Sequence, residues 1–225
     1  MISRLPGLAA GLVLGVALAL ALLGLAILPF LNPVWVGFEQ GRSNVTAWTG
    51  YDEATVQTVS ASILHDLVIG PPDFEVKVDG VQVLNDRERG HMRDVRSVFG
   101  SFFSGAIAGL MLLAAAFILE RGEQRKTLWR RLSRAGLAIA GVTVVGGVAA
   151  LLFFDTAFEI FHEAFFPAGT FLFDPQTERL VQLFPEQFWV ESATCVGVVV
   201  IGLALVVGHI ANRRANGAPL LSIGR

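Results

Sequence analysis

Four long apolar runs, at roughly residues 7–30, 98–119, 136–158 and 191–211, decide what this chain can become. Each comes near or exceeds the ~20 residues that a helix needs to cross ~30 Å of hydrocarbon. Their central stretches carry no charge. A mean hydropathy of +0.61 is too apolar for an ordinary soluble domain, and the clustering explains it. The first run exceeds the usual apolar core of a secretory signal. Leu28-Pro29-Phe30-Leu31-Asn32-Pro33 follows it in place of a small-x-small cleavage site, so we read a retained anchor.

Charge sets the orientation expected for these helices. Arg4, the six Lys and Arg between Glu120 and Arg134, and Arg213, Arg214 and Arg225 make ten basic residues on one side, against only Glu120 and Glu123. The other side receives the remaining seven basic and 17 acidic residues. Cytoplasmic loops carry the excess of Lys and Arg. Both termini and the loop at 120–135 are therefore expected inside a bacterial cytoplasmic membrane, with segments 31–97 and 159–190 outside. The basic run is a topological signal and gives no sign of a nucleic-acid partner. The expected fold class is an all-α membrane protein of four transmembrane helices, with a small α+β extracytoplasmic subdomain between spans 1 and 2.

The first outer segment contains the elements of that subdomain. Thr49, with Asp52 three residues on, reads as a helix cap. Val56, Val59, Ile63 and Leu67 follow at helical spacing, and Gly70-Pro71-Pro72 ends the helix. Phe74–Val78 and Val81–Val83 flank Asp79-Gly80, a hairpin signature. Asn85 with Glu88 reads as a second cap, opening a helix that continues into the second span. The second outer segment differs: ten of the 17 phenylalanines lie between Phe153 and Phe188, interrupted by Pro167, Gly169, Pro175 and Pro185. Two compatible readings stand for it, an aromatic belt at headgroup depth and a wall for lipid acyl chains.

Ionisable groups near membrane depth are costly and mark function. Glu88, His91 and Asp94 recur every three residues, and Asp155, Glu159 and His162 at offsets of four and three. Each set shares a helical face at the expected outer end of a span. Imidazole is suited to proton transfer near neutrality. His65 reads as solvated, His209 as topological, and the single cysteine, Cys195, as a packing residue. No Ser or Cys nucleophile adjoins either candidate histidine, so acyl chemistry here would draw its attacking group from the substrate.

Two blocks, LNDRERGHMRDV (84–95) and FHEAFFPAGTFLFDPQTERLVQLFPEQFW (161–189), resemble the lipoprotein intramolecular transacylases called Lit. The four-span layout and the large first outer segment extend the resemblance over most of the chain. Glu178 is one departure, standing where the family pattern has Asp. The resemblance implies a membrane acyltransferase that moves the sn-2 acyl chain of a diacylglyceryl lipoprotein onto the α-amine of its N-terminal cysteine, without an acyl-enzyme or cofactor. It implies that His91 and His162 are the catalytic pair. Glu88, Asp94, Asp155 and Glu159 are expected to orient the rings, and Arg87 or Arg93 to stabilise the oxyanion or bind substrate. The partners expected are the lipoprotein and membrane lipid. Two rivals are a zinc-dependent membrane hydrolase, which two histidines and carboxylates would suit though no HExxH motif supports it, and a non-enzymatic channel or scaffold, against which the weakly polar spans count.

The topology is checked by fusing alkaline phosphatase, active only outside, after Gly80 and after Arg125. Activity is expected from the Gly80 fusion alone; the opposite pattern overturns the assignment.

Overall fold

In the computed structural model, which describes residues 7–217, the apolar runs become four helices long and apolar enough to cross a membrane. They are α1 (Gly7–Ile27, extended by a 3-10 turn to Phe30), α5 (Asp86–Leu119), α6 (Glu123–Leu152) and α9 (Glu186–Ala215). Between them lie α2 (Pro33–Arg42), α3 (Val45–Thr49), α4 (Glu53–Val68), a hairpin of β1 (Lys77–Val78) and β2 (Val81–Gln82), α7 (Phe154–Phe165) and α8 (Arg179–Leu183). The chain divides into two compact units. Among the described residues the first comprises 7–26, 102–148 and 196–217; the second comprises Ile27–Ser101 and Ala149–Cys195.

Small residues set the packing of the first unit. A Cβ on Gly109 would lie 2.7 Å from the Ala17 carbonyl oxygen, and one on Gly136 would lie 2.6 Å from that of Ala204. Backbones approach this closely only where side chains are missing, as is usual between membrane helices. Leu14, Leu18, Leu128 and Leu132 fill the interior beside Ala10, Ala116, Ala140 and Ala204. Leu12, Val16, Ile107, Met111, Val142 and Val198 stay exposed. A helix apolar on both its packed and its open faces belongs in lipid.

The second unit is built from capped short elements. Asn32 accepts from the amides of Val34 and Trp35 to start α2. Asp52 accepts from Thr55 N–H at 2.8 Å to start α4. The cap expected at Thr49 is thus displaced: Thr49 closes α3, donating its hydroxyl to the Val45 carbonyl. Asp79 and Gly80 both take positive φ, 51° and 79°, giving the hairpin its tight turn. Val56, Val59, Ile63, Phe74, Leu84 and Leu183 form the core beneath. Arg42 grips Glu191 through two hydrogen bonds of 2.6 and 3.0 Å, and Gln40 donates to the Leu183 carbonyl, binding α2 to the second outer segment.

Three features depart from the expected layout. The helix read as running to residue 158 breaks at Phe153 (φ −134°, ψ 49°), and α7 starts afresh. The connection read as 120–135 is mostly helix, because α6 begins at Glu123. Similarly, α9 begins at Glu186, ahead of the apolar run at 191.

Gly136→Ala is expected to cost roughly 1–3 kcal/mol, as overpacking does. Gly141→Ala, where an added Cβ meets nothing within 4 Å, should cost nothing. Thermal unfolding of the purified variants checks this; equal midpoints would contradict the close approach of α6 and α9.

Candidate active site

Glu88 anchors the site. It is 1% exposed and sits in the first turn of α5. One carboxylate oxygen accepts from Asn85 N–H at 2.7 Å, while the Asn85 side chain accepts from Glu88 N–H at 3.0 Å, a reciprocal capping box. The other oxygen accepts from Leu180 N–H at 2.6 Å, in α8. Glu88 therefore fixes the helix that carries His91 to the segment that follows His162.

One turn beyond Glu88, His91 is 6% exposed; His162, on α7, is 8% exposed. Their rings stack with centroids 6.0 Å apart and planes 22° apart. His162 Nδ1 lies 2.7 Å from the Phe158 carbonyl oxygen. A carbonyl only accepts, so Nδ1 carries the proton and the Nε2 lone pair is free. Burial holds His162 below the ordinary imidazole pKa, with the Phe158 hydrogen bond partly opposing it. That direction favours the neutral ring near pH 7. His91 Nδ1 is buried without a hydrogen-bond partner among the described residues. A buried polar atom left unpaired is costly and calls for an explanation.

Phenylalanines enclose both rings. Phe166 lies 4.7 Å from His91 and 5.4 Å from His162; Phe173 lies 5.4 Å from His91, and Phe171 5.2 Å from His162. A clasp holds this loop. Arg87 donates to both oxygens of Glu178, at 2.7 and 2.6 Å, and stacks its guanidinium 4.7 Å from the Phe173 ring. Asp174 N–H donates to Glu178 at 2.7 Å. Burial tends to raise the Glu178 carboxyl, but Arg87 and the Asp174 amide outweigh it and hold the group below its ordinary value.

The structure thus brings together His91, His162, Glu88 and Arg87. It gives Asp94, half-buried one turn beyond His91, and Asp155 and Glu159, both exposed on α7, no hydrogen bond to either imidazole among the described residues. Arg93 is exposed and outside every ion pair found among those residues. His65 pairs with Asp66 at 3.2 Å, and His209 is exposed in the first unit. Cys195 is a free, half-buried thiol. Among the described residues no three His, Cys, Asp or Glu side chains converge as a metal-ligand set. Sequence reasoning missed the Phe158 carbonyl and the clasp role of Glu178. Neither leaves a local signal: one is a backbone atom and the other pairs across 91 positions.

Comparison with known proteins agrees with this architecture. Three solved structures of the membrane integral lipoprotein intramolecular transacylase Lit from Bacillus cereus share the fold. One aligns at 15% identity with a TM-score of 0.67, covering 92% of this chain and 94% of that one. Two others, each carrying a histidine substitution, align at 16% identity with TM-scores of 0.69 and 0.70, covering 92% of this chain and 91% and 92% of theirs. No curated protein sequence matches the chain. The profile described as lipoprotein intramolecular transacylase Lit matches residues 12–189. With most of its length inside that match and the same four-helix membrane fold, the chain belongs to the Lit family of membrane acyltransferases.

Proposed function

We propose that this protein moves the sn-2 acyl chain of a diacylglyceryl lipoprotein onto the α-amine of the lipoprotein's N-terminal cysteine, leaving a lyso-form lipoprotein. The observation that carries the reading is the stacked pair of buried imidazoles, one oriented by a backbone carbonyl and the other with an unpartnered nitrogen, inside an apolar cage. The charge bias of the sequence supports a site on the extracytoplasmic side of a bacterial cytoplasmic membrane.

The chemistry needs proton transfer and positioning. The amine, of pKa about 7.7–8, must be deprotonated to attack the ester carbonyl. As the C–N bond forms, one imidazole takes a proton from nitrogen. As the ester C–O bond breaks, the departing glycerol oxygen takes a proton back, so ester and amine become amide and alcohol with no net proton change. His162 Nε2 suits the first role, because the Phe158 carbonyl fixes the tautomer. The unpartnered His91 nitrogen suits a partner that arrives with substrate. No enzyme nucleophile is required. Ester and amine belong to one molecule, and effective molarities of about 10⁵–10⁸ M are reached by well-oriented pairs. Phe166, Phe171 and Phe173 would receive acyl chain and exclude water. In this reading Glu88, Arg87 and Glu178 position the site, and ring orientation comes from Phe158 instead of Asp155 or Glu159. Arg93 is the arginine left uncommitted for an oxyanion or a headgroup.

His91→Asn and His162→Asn should each lower the formation of lyso-form lipoprotein, read by mass spectrometry, by about 10²–10⁴-fold. The double variant should be scarcely worse, since either loss disables the unit. His65→Asn and His209→Asn should retain activity. Full activity in either dyad variant sinks the proposal.

The pH profile offers a separate check. Because burial lowers His162, the imidazole limb of the rate should fall below the ordinary value of about 6.5, apart from the amine limb near 8. Opening the clasp with Glu178→Gln should hydrate the cage and move the lower limb up towards 6.5, while Glu178→Asp should largely restore it. A lower limb that stays in place in Glu178→Gln contradicts the positioning role.

A further inference from the structure

The dyad and its phenylalanine cage offer nothing that reads polypeptide, yet a transacylase for lipoproteins acts on a lipid attached to a chain. A second feature of the same unit fits that chain. Between α4 and β1 lies an open groove of about 1020 Å³. Buried Val59 and Val76 contribute to its lining. Along α4, Thr55, Thr58 and Ser62 recur at helical spacing on one wall. The Thr58 and Ser62 hydroxyl protons are donated to the Ala54 and Thr58 carbonyls, which leaves oxygen lone pairs as acceptors.

The opposite wall is the free edge of the hairpin. Val83 N–H donates to the Val76 carbonyl, and Val78 pairs with Val81 next to the turn. In an antiparallel ladder the intervening residue directs its amide and carbonyl away from its partner strand. That residue is Lys77, paired in register with Gln82. Its N–H and C=O therefore lie on the outer edge of β1, where an added strand would find them. Asp66, Asp73 and Glu75 line the same groove, where Lys77 is the one Lys or Arg among the described lining residues; His65 is engaged by Asp66, and Arg89 lies 3.7 Å from Glu75. The groove is connected to the dyad helix. Arg96, on α5 five positions beyond His91, donates to the Gly70 carbonyl at 2.7 Å and to the Asp66 carbonyl.

We propose that this groove binds the polypeptide that follows the acylated cysteine of the substrate lipoprotein. The segment would lie extended along β1 as a third strand, with main-chain bonds to Lys77 and a basic side chain among Asp66, Asp73 and Glu75. Strand addition of this kind takes affinity from the backbone and selectivity from alternate side chains. The proposal rests on the transacylase reading above.

Three synthetic substrates test it with the full-length enzyme. All begin with diacylglyceryl-cysteine: one ends after a single serine, one continues for about ten residues with lysines, and one has the same tail with glutamates. Acyl transfer is followed by mass spectrometry. The lysine tail is expected to lower KM about tenfold relative to the short substrate, a difference of about 1.4 kcal/mol, and the glutamate tail to give no such gain. Lys77→Pro removes the outward N–H without touching the ladder, as edge strands permit. It should abolish the advantage of the lysine tail while leaving kcat and the short-substrate KM unchanged. Thr58→Trp, on an exposed helix position, should do the same by filling the groove and serves if the proline variant does not accumulate. Equal KM for long and short substrates, or equal losses on both in Thr58→Trp, overturns the groove alone. No conversion of any substrate by the unaltered enzyme overturns the transacylase reading as well.

Discussion

The arrangement of the site depends on one buried carboxylate. Among the described residues Glu88 forms no ion pair within 4 Å; two backbone amides, of Asn85 and Leu180, donate to its carboxylate, and its own amide donates to the Asn85 side-chain oxygen. Hydrogen bonds to charged groups contribute about 1.5–3 kcal/mol each, and a buried amide left unpaired costs about 1–3 kcal/mol. Removing this carboxylate would therefore orphan the start of α5 and the start of α8 together. Because His91 lies one turn along α5, and the loop bearing Phe166 and Phe173 leads into α8, the geometry of the imidazole pair follows from that link.

Around it the protein builds an environment with few polar alternatives. The Phe158 carbonyl takes one nitrogen of His162, and aromatic rings occupy most other directions. Such apolar surroundings favour neutral imidazole over imidazolium and are compatible with hydrocarbon. In the proposed reaction they would also keep water from competing with the amine for the ester. The Arg87–Glu178 clasp adds charge at the rim instead of beside the rings, and with Phe173 beneath the guanidinium it closes the loop without placing a permanent cation against the dyad.

Much of this was legible from local pattern. Apolar length marks the four spanning helices, Asp79-Gly80 marks the hairpin, and Asn85 with Glu88 marks the start of the long α5. Both histidines stand out because ionisable groups near membrane depth are rare. Other features left no local trace. Phe153 is neither Gly nor Pro, so nothing in its neighbourhood announces the break between α6 and α7. Asp155 and His162 do share a helical face by spacing, but Phe166 and Phe171 cover only its C-terminal end, so the histidine is buried and the acids are not. The partners Glu88–Leu180 and Arg87–Glu178 join segments about ninety residues apart, a pairing that periodicity cannot disclose.

Proton transfer by this pair depends most directly on the protonation of His162. Nitrogen-15 NMR of histidine-labelled protein at pH 7, with a His162→Asn sample to assign the signal, reads both the charge and the tautomer of that ring. The prediction is a neutral imidazole protonated at Nδ1, leaving Nε2 free to take a proton. An imidazolium, or a neutral ring protonated at Nε2, would contradict it.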